Sequence, residues 1–232
     1  KELRKFYGLS FNEQRERIAK LGKKLHDFDP NILKALRNTK REIFVPKKQR
    51  ILSYIEAPTW VSGLNGITPP LFCGKAAELI NMNKQKDENI LVIGSGEGYS
   101  SAFFSECAGK NTNILGLEID SRTAERSQRK LKDQGYDNVR IEVGDAFEER
   151  KDIGNFDRIW TTLAVKKVPA FWVNSLKKGG IIGIFRKLKR GEFERALEEG
   201  FLDLENYRDY EENWWESVCL EILFKNSEGE IG

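Results

Sequence analysis

From residue 90 onward, short apolar runs and helix-length segments take turns along the chain, and few folds accept that order. Residues 90–93 (ILVI), 114–118 (ILGLE), 139–143 (VRIEV), 156–160 (FDRIW) and 181–185 (IIGIF) read as strands. Helical patterns at 100–108, 121–134 and 171–176 separate them. Strand, helix, strand at this spacing predicts an α/β fold: a mostly parallel central sheet with helices on both faces. Coverage on both faces also explains why the strands read as unbroken apolar runs. Residues 218–224 (VCLEILF) predict an antiparallel last strand.

The first 80 residues follow a different pattern. Ser10 and Glu13 form a capping-box signature ahead of a helical stretch reaching about residue 24. Asp29-Pro30 opens a second helix carrying Ile32, Leu33 and Leu36, which residues 41–46 (REIFVP) end. Residues 53–70 (SYIEAPTWVSGLNGITPP) show little periodicity and read as a long connecting loop, of a length usually kept for function. Residues 71–80 (LFCGKAAELI) return to helix. The expected organisation is a helical extension with a substrate-side loop over 1–80 and a core over 81–232, together one compact domain.

Composition removes several classes of chemistry. Thirty-nine Lys and Arg against 36 Asp and Glu leave a net charge of +3, which gives no case for nucleic acid. Cys73, Cys107 and Cys219 are far apart and form neither a CxxC pair nor a disulfide framework. With His26 the single histidine, no metal site is expected, and His-based catalysis has no partner to work with. No stretch approaches the roughly 18 to 20 apolar residues that span a bilayer. The expected setting is cytoplasmic, and the expected state a monomer.

The ligand is written into residues 88–100, ENILVIGSGEGYS. A strand ending in Gly94-Ser95-Gly96-Glu97-Gly98 places a glycine turn at the carboxyl edge of the sheet, where open α/β folds bind ligands. The third glycine comes one place too early for a dinucleotide GxGxxG, and no GxxxxGK phosphate loop is present. Glu118 closes the second strand and can accept hydrogen bonds from vicinal ribose hydroxyls. Asp145 follows the third strand, within reach of an adenine amino group or a nearby backbone amide. Acids and glycines without a basic residue in the turn suit a nucleoside that carries no phosphate. S-adenosyl-L-methionine, which leaves as S-adenosyl-L-homocysteine, is such a ligand.

The chain also resembles the protein-L-isoaspartate O-methyltransferase family, a branch of the class I S-adenosylmethionine-dependent methyltransferases, as a divergent member. KREIFVP (40–46), EAPTWVSGLNGITPP (56–70), ILVIGSGEGYSSA (90–102) and GNFDRIWTTLAVKKVPAFWVNSLKKGG (154–180) carry the resemblance. It implies a Rossmann-like fold and methyl transfer to the carboxylate of an isoaspartyl residue in a damaged peptide or protein, a repair activity. Thr68 falls where the family has a serine beside the transferring methyl; the plain alternative is a hydroxyl capping the following helix. Cofactor contacts carried over by the resemblance are Ile67, Gly94, Ser95, Gly96, Gly98, Tyr99, Glu118, Ile119, Asp145 and Ala146. Pro69, Thr161 and Thr162 are the substrate-side candidates. The chain departs from the family at Val92, where a glutamate is usual, at Gly66, at Pro70-Leu71, and in the basic run 186–190 (RKLKR). Two other readings stand beside repair: another acceptor (a different peptide carboxylate, a small molecule or RNA), and a relative that binds the cofactor without catalysis.

Overall fold

The structure is a computed structural model, and it describes residues 8–62, 65–82, 87–150, 153–187, 218–226 and 228–231. Four helical segments lead. They are α1 (Phe11–His26), α2 (Pro30–Asn38), the one-turn α3 (Arg41–Phe44) and a 3-10 helix (Lys47–Leu52). Both halves of the capping box on α1 form, with the Ser10 N–H and hydroxyl donating to Glu13 and Ser10 Oγ accepting from the Glu13 N–H. Residues 53–70 do not stay irregular. They fold into an antiparallel hairpin of β1 (Thr59–Ser62) and β2 (Asn65–Ile67), before α4 (Pro70–Leu79). Strands this short lack the alternation that would announce them.

The core then alternates as expected: β3 (Asn89–Ile93), α5 (Tyr99–Ala108), β4 (Asn113–Glu118), α6 (Ser121–Asp133) and β5 (Val139–Val143). After these come β6 (Phe156–Val165), α7 (Ala170–Asn174), β7 (Leu176–Lys187) and β8 (Val218–Phe224). The sheet order is β5-β4-β3-β6-β7-β8, parallel except for the last pair. Strand order reverses at β3, so the turn after β3 lies at the switch point where such sheets open a crevice. Residues 214 and 215, the tryptophan pair of the C-terminal region, lie outside the described residues, as do 188–190 of the basic run.

Adjacent residues of β3 serve opposite faces. Ile90 and Val92 join a core with Ile18, Ile32, Leu36, Phe103 and Trp160, so the N-terminal helices pack on that face. Leu91 and Ile93 join Leu117, Ile159, Phe171 and Trp172 on the other. Val92 is fully buried, opposite Gly116 on one side and Trp160 on the other. Asp157 ties the sheet's lower edge, accepting from the Asn89 N–H at 2.8 Å and Lys177 Nζ at 2.7 Å.

Candidate active site

The three glycines of the turn share a backbone conformation but differ in what a side chain would meet. Gly94, Gly96 and Gly98 all have positive φ (71°, 54° and 91°), where an L side chain is strained. A Cβ on Gly94 would also stand 2.6 Å from Thr162 Oγ1 and 3.1 Å from Leu163. One on Gly98 would press Leu131 of α6 at 3.1 Å. One on Gly96 would meet nothing nearer than the Gly94 carbonyl at 3.9 Å. Gly94 and Gly98 are therefore glycine for the protein's own packing. Gly96 alone leaves its space to something else.

Glu118 orders this turn. Its carboxylate accepts from the Gly96 N–H at 2.9 Å and the Asp120 N–H at 3.0 Å, using two of about four acceptor positions. The Gly94 and Ser95 N–H groups both donate to the Leu117 carbonyl. Ser95 turns its side chain inward over Gly116, and its buried hydroxyl has no partner among the described residues. Glu97, also buried, pairs with Arg126 and with Lys130 at 2.6 Å, and Lys130 donates onward to the Phe44 carbonyl at 3.1 Å. Burial alone would raise the Glu97 pKa, but these two cations outweigh it and hold it below the usual carboxylate value.

Around the turn the strand ends carry apolar groups. Ile119 (68% exposed), Phe147 (55%) and Leu163 (38%) follow β4, follow β5 and lie in β6. Asp145 is half-buried, and one of its oxygens accepts from the Phe147 N–H at 2.8 Å. Ala146 packs inward, with its carbonyl taken by Trp172 Nε1 at 2.7 Å. An open Gly96, a carboxylate beside it and an apolar rim fit an adenosyl group without phosphate. Among the described residues no group of His, Cys, Asp and Glu could hold a metal ion.

The segment after β2 reaches the same end of α5 as the turn. Arg41 is fully buried. It donates to the Ile67 carbonyl (2.7 Å), the Thr68 carbonyl (3.0 Å) and the Ser53 carbonyl, with its guanidinium over the Tyr99 ring at 5.4 Å. Burial lowers its pKa. The half-buried Thr68 accepts from Ser100 Oγ at 3.4 Å, which joins the segment to the first turn of α5. Thr68 does not cap α4, since Glu56 accepts from the Leu71 and Phe72 N–H groups. Cys73 lies beneath, with Sγ 3.7 Å from Ser100 Oγ, and burial pushes its thiol up to about 12.

The structure thus brings Thr68, the turn and Glu118 to one edge of the sheet, while other expected residues face elsewhere. Tyr99 does not face the crevice; its ring is buried between Phe44, Phe103 and Arg41. Thr161 is fully buried, its hydroxyl spent on the Leu163 carbonyl at 3.0 Å where β6 bulges. Thr162 donates to the Gly94 carbonyl at 2.6 Å and so belongs to the turn. Pro69 is half-buried at the N-terminal cap position of α4, and Ile67 is buried under Arg41. Reasoning from sequence missed Arg41, Ser100, Phe147 and Leu163. The two charges, Arg41 and Glu42, that head the otherwise apolar REIFVP are the signal that could have found the first.

An open parallel sheet with a glycine turn at its switch point, and an acid on the neighbouring strand end, is the frame of a class I S-adenosylmethionine-dependent methyltransferase. The family model described as protein-L-isoaspartate(D-aspartate) O-methyltransferase matches residues 12–188. The chain belongs to that family. Its relatives include protein-L-isoaspartate O-methyltransferase 2 of Archaeoglobus fulgidus, 28% identical over 74% of this chain and 78% of that one. The Ignicoccus hospitalis protein-L-isoaspartate O-methyltransferase is 31% identical over 66% and 72%. Among solved structures, a Plasmodium falciparum protein assigned to the same enzymes, in complex with S-adenosyl-L-homocysteine, matches the fold with a TM-score of 0.70. Its identity is 18%, over 93% of this chain and 91% of that one.

Proposed function

We propose that this methyltransferase acts on carboxylates of damaged polypeptides, with the L-isoaspartyl side chain as acceptor. One observation carries the reading: the Thr68 hydroxyl sits beside the first turn of α5, and its backbone is pinned by a fully buried arginine. S-adenosyl-L-methionine, when bound, supplies a methyl group already activated on a sulfonium. A carboxylate is already a nucleophile at neutral pH, because an Asp-type acid titrates near 4. No general base is then needed, in keeping with a chain that has one histidine, at the end of α1 and stacked on Phe28. The residues' task is alignment. Thr68 would donate to one acceptor oxygen and leave the other unengaged, while Gly96, Glu118, Ile119 and Asp145 would hold the adenosyl group. Such positioning contributes up to about 7 to 11 kcal/mol in ideal cases.

Offering isoaspartyl and aspartyl forms of one peptide with a labelled methyl donor tests the reading. Base-labile label on the isoaspartyl form alone supports it. Transfer to both forms, or to small molecules or RNA instead, moves the acceptor elsewhere; donor affinity with no transfer at all leaves a non-catalytic binder. Thr68→Val is expected to lower turnover at least tenfold with donor affinity within about twofold, and unchanged turnover removes Thr68 from the mechanism.

A further inference from the structure

Beside the Thr68 segment lies a surface that alignment of donor and acceptor does not use. A groove of about 250 Å³ lies between the 3-10 helix and β1, lined by Gln49, Leu52, Ile55, Pro58, Thr59 and Trp60. Trp60 is 48% exposed. It pairs across the hairpin with Gly66, where a Cβ would stand 3.4 Å from its ring. Gly66, one of this chain's departures from its family, thus lies directly against the indole, where a Cβ would only touch the ring. Leu52 and Ile51, 37% and 49% exposed, continue the apolar surface. Among the described residues β2 is the sole strand partner of β1, so the other edge of β1 has no strand against it. An extended chain can add to such an edge.

Charge selects the occupant. Between residues 46 and 62 stand Lys47, Lys48 and Arg50 against the single acid Glu56, and both oxygens of Glu56 are engaged in capping α4. Lys47 and Lys48 are exposed on the 3-10 helix that contributes Gln49 and Leu52 to the groove. Register sets the reach. Trp60 pairs with Gly66, two residues before Thr68, which puts the Trp60 backbone within about 12 Å of Thr68. An extended peptide covers that in about three to four residues.

We propose that the Trp60 groove is an exosite for an extended acidic segment of the methyl-accepting polypeptide, taking an apolar side chain about three residues from the acceptor carboxylate. This rests on the peptide-carboxylate reading above, and binding measured apart from turnover separates the two. The probe is a fluorescein-labelled peptide with a normal aspartate at the acceptor position, leucine three residues away and glutamates beside it. Its counterpart carries serine and lysines at those places. By anisotropy, the wild-type chain is expected to bind the first about tenfold more tightly. Trp60→Ser narrows the ratio to within about twofold, and Lys47→Glu with Lys48→Glu inverts the charge preference. Trp60→Leu, which keeps an apolar surface, retains part of the preference. Unchanged far-UV circular dichroism and S-adenosyl-L-homocysteine binding establish that each variant is folded. Equal binding of both peptides by wild type, or a preference that survives Trp60→Ser, overturns the exosite. So does a concentration-dependent dimer in sedimentation that Trp60→Ser abolishes, which assigns the groove to a second copy of the chain. A flank preference without methyl transfer supports the groove and counts against the carboxylate reading alone.

Discussion

Replacing each turn glycine by alanine in separate variants separates the residue that serves the ligand from those that serve the fold. Gly96→Ala meets no neighbouring atom within 3.9 Å, so its folding cost is the positive φ alone, about 1 to 2 kcal/mol. Gly98→Ala adds a Cβ that Leu131 and Ser127, both fully buried, must accommodate, bringing the total to about 2 to 4 kcal/mol. Gly94→Ala drives a Cβ into Thr162 Oγ1 and endangers that hydroxyl's bond to the Gly94 carbonyl, so about 3 to 6 kcal/mol is lost. Urea unfolding followed by far-UV circular dichroism reads the order. Calorimetric binding of S-adenosyl-L-homocysteine reads the other axis: Gly96→Ala is expected to lose at least tenfold in affinity while losing the least stability. A Gly96→Ala variant that binds within twofold of wild type, or that unfolds as readily as Gly94→Ala, refutes the assignment of the open side to the cofactor.

Two further outcomes follow from buried charge. Arg41→Met strips donors from three carbonyls on two segments and should cost about 3 to 5 kcal/mol in urea unfolding, with a rise in KM for peptide; a loss below 1 kcal/mol would deny the clamp. Glu97 has a folded pKa below its unfolded value of about 4.3. Its contribution to stability is therefore full above that value and lost as pH falls through the lower, folded one. Glu97→Gln should flatten the stability profile below about pH 4.3, and a slope equal to wild type would show that the pairing of Glu97 with Arg126 and Lys130 contributes nothing.

The parallel core was legible in the sequence because its strands are buried on both faces and its helices sit between them. The Ser10–Glu13 box, the Asp29-Pro30 start and the antiparallel strand at 218–224 were legible for the same local reasons. The hairpin at 59–67 was not, since three- and four-residue strands leave no alternation to read. Glu118 stands beside the turn, as its position at a strand end led the sequence to predict. Tyr99 and Thr161 show where that logic stops: proximity in sequence to the turn says nothing of the face a side chain takes. Tyr99 goes under Arg41, and Thr161 is consumed by a bulge. Arg41 itself stands about 50 residues before the turn, and only the packing of α3 reveals what it holds.

Helix α3 is four residues long, yet its first residue grips the Ile67 and Thr68 carbonyls, while its last receives Lys130, the partner of Glu97 inside the glycine turn. The Thr68 segment and the glycine turn thus share one small anchor besides their own bonds to Ser100 and Glu118. A substitution that unseats that short element therefore loosens the Thr68 segment and the Lys130–Glu97 pairing together.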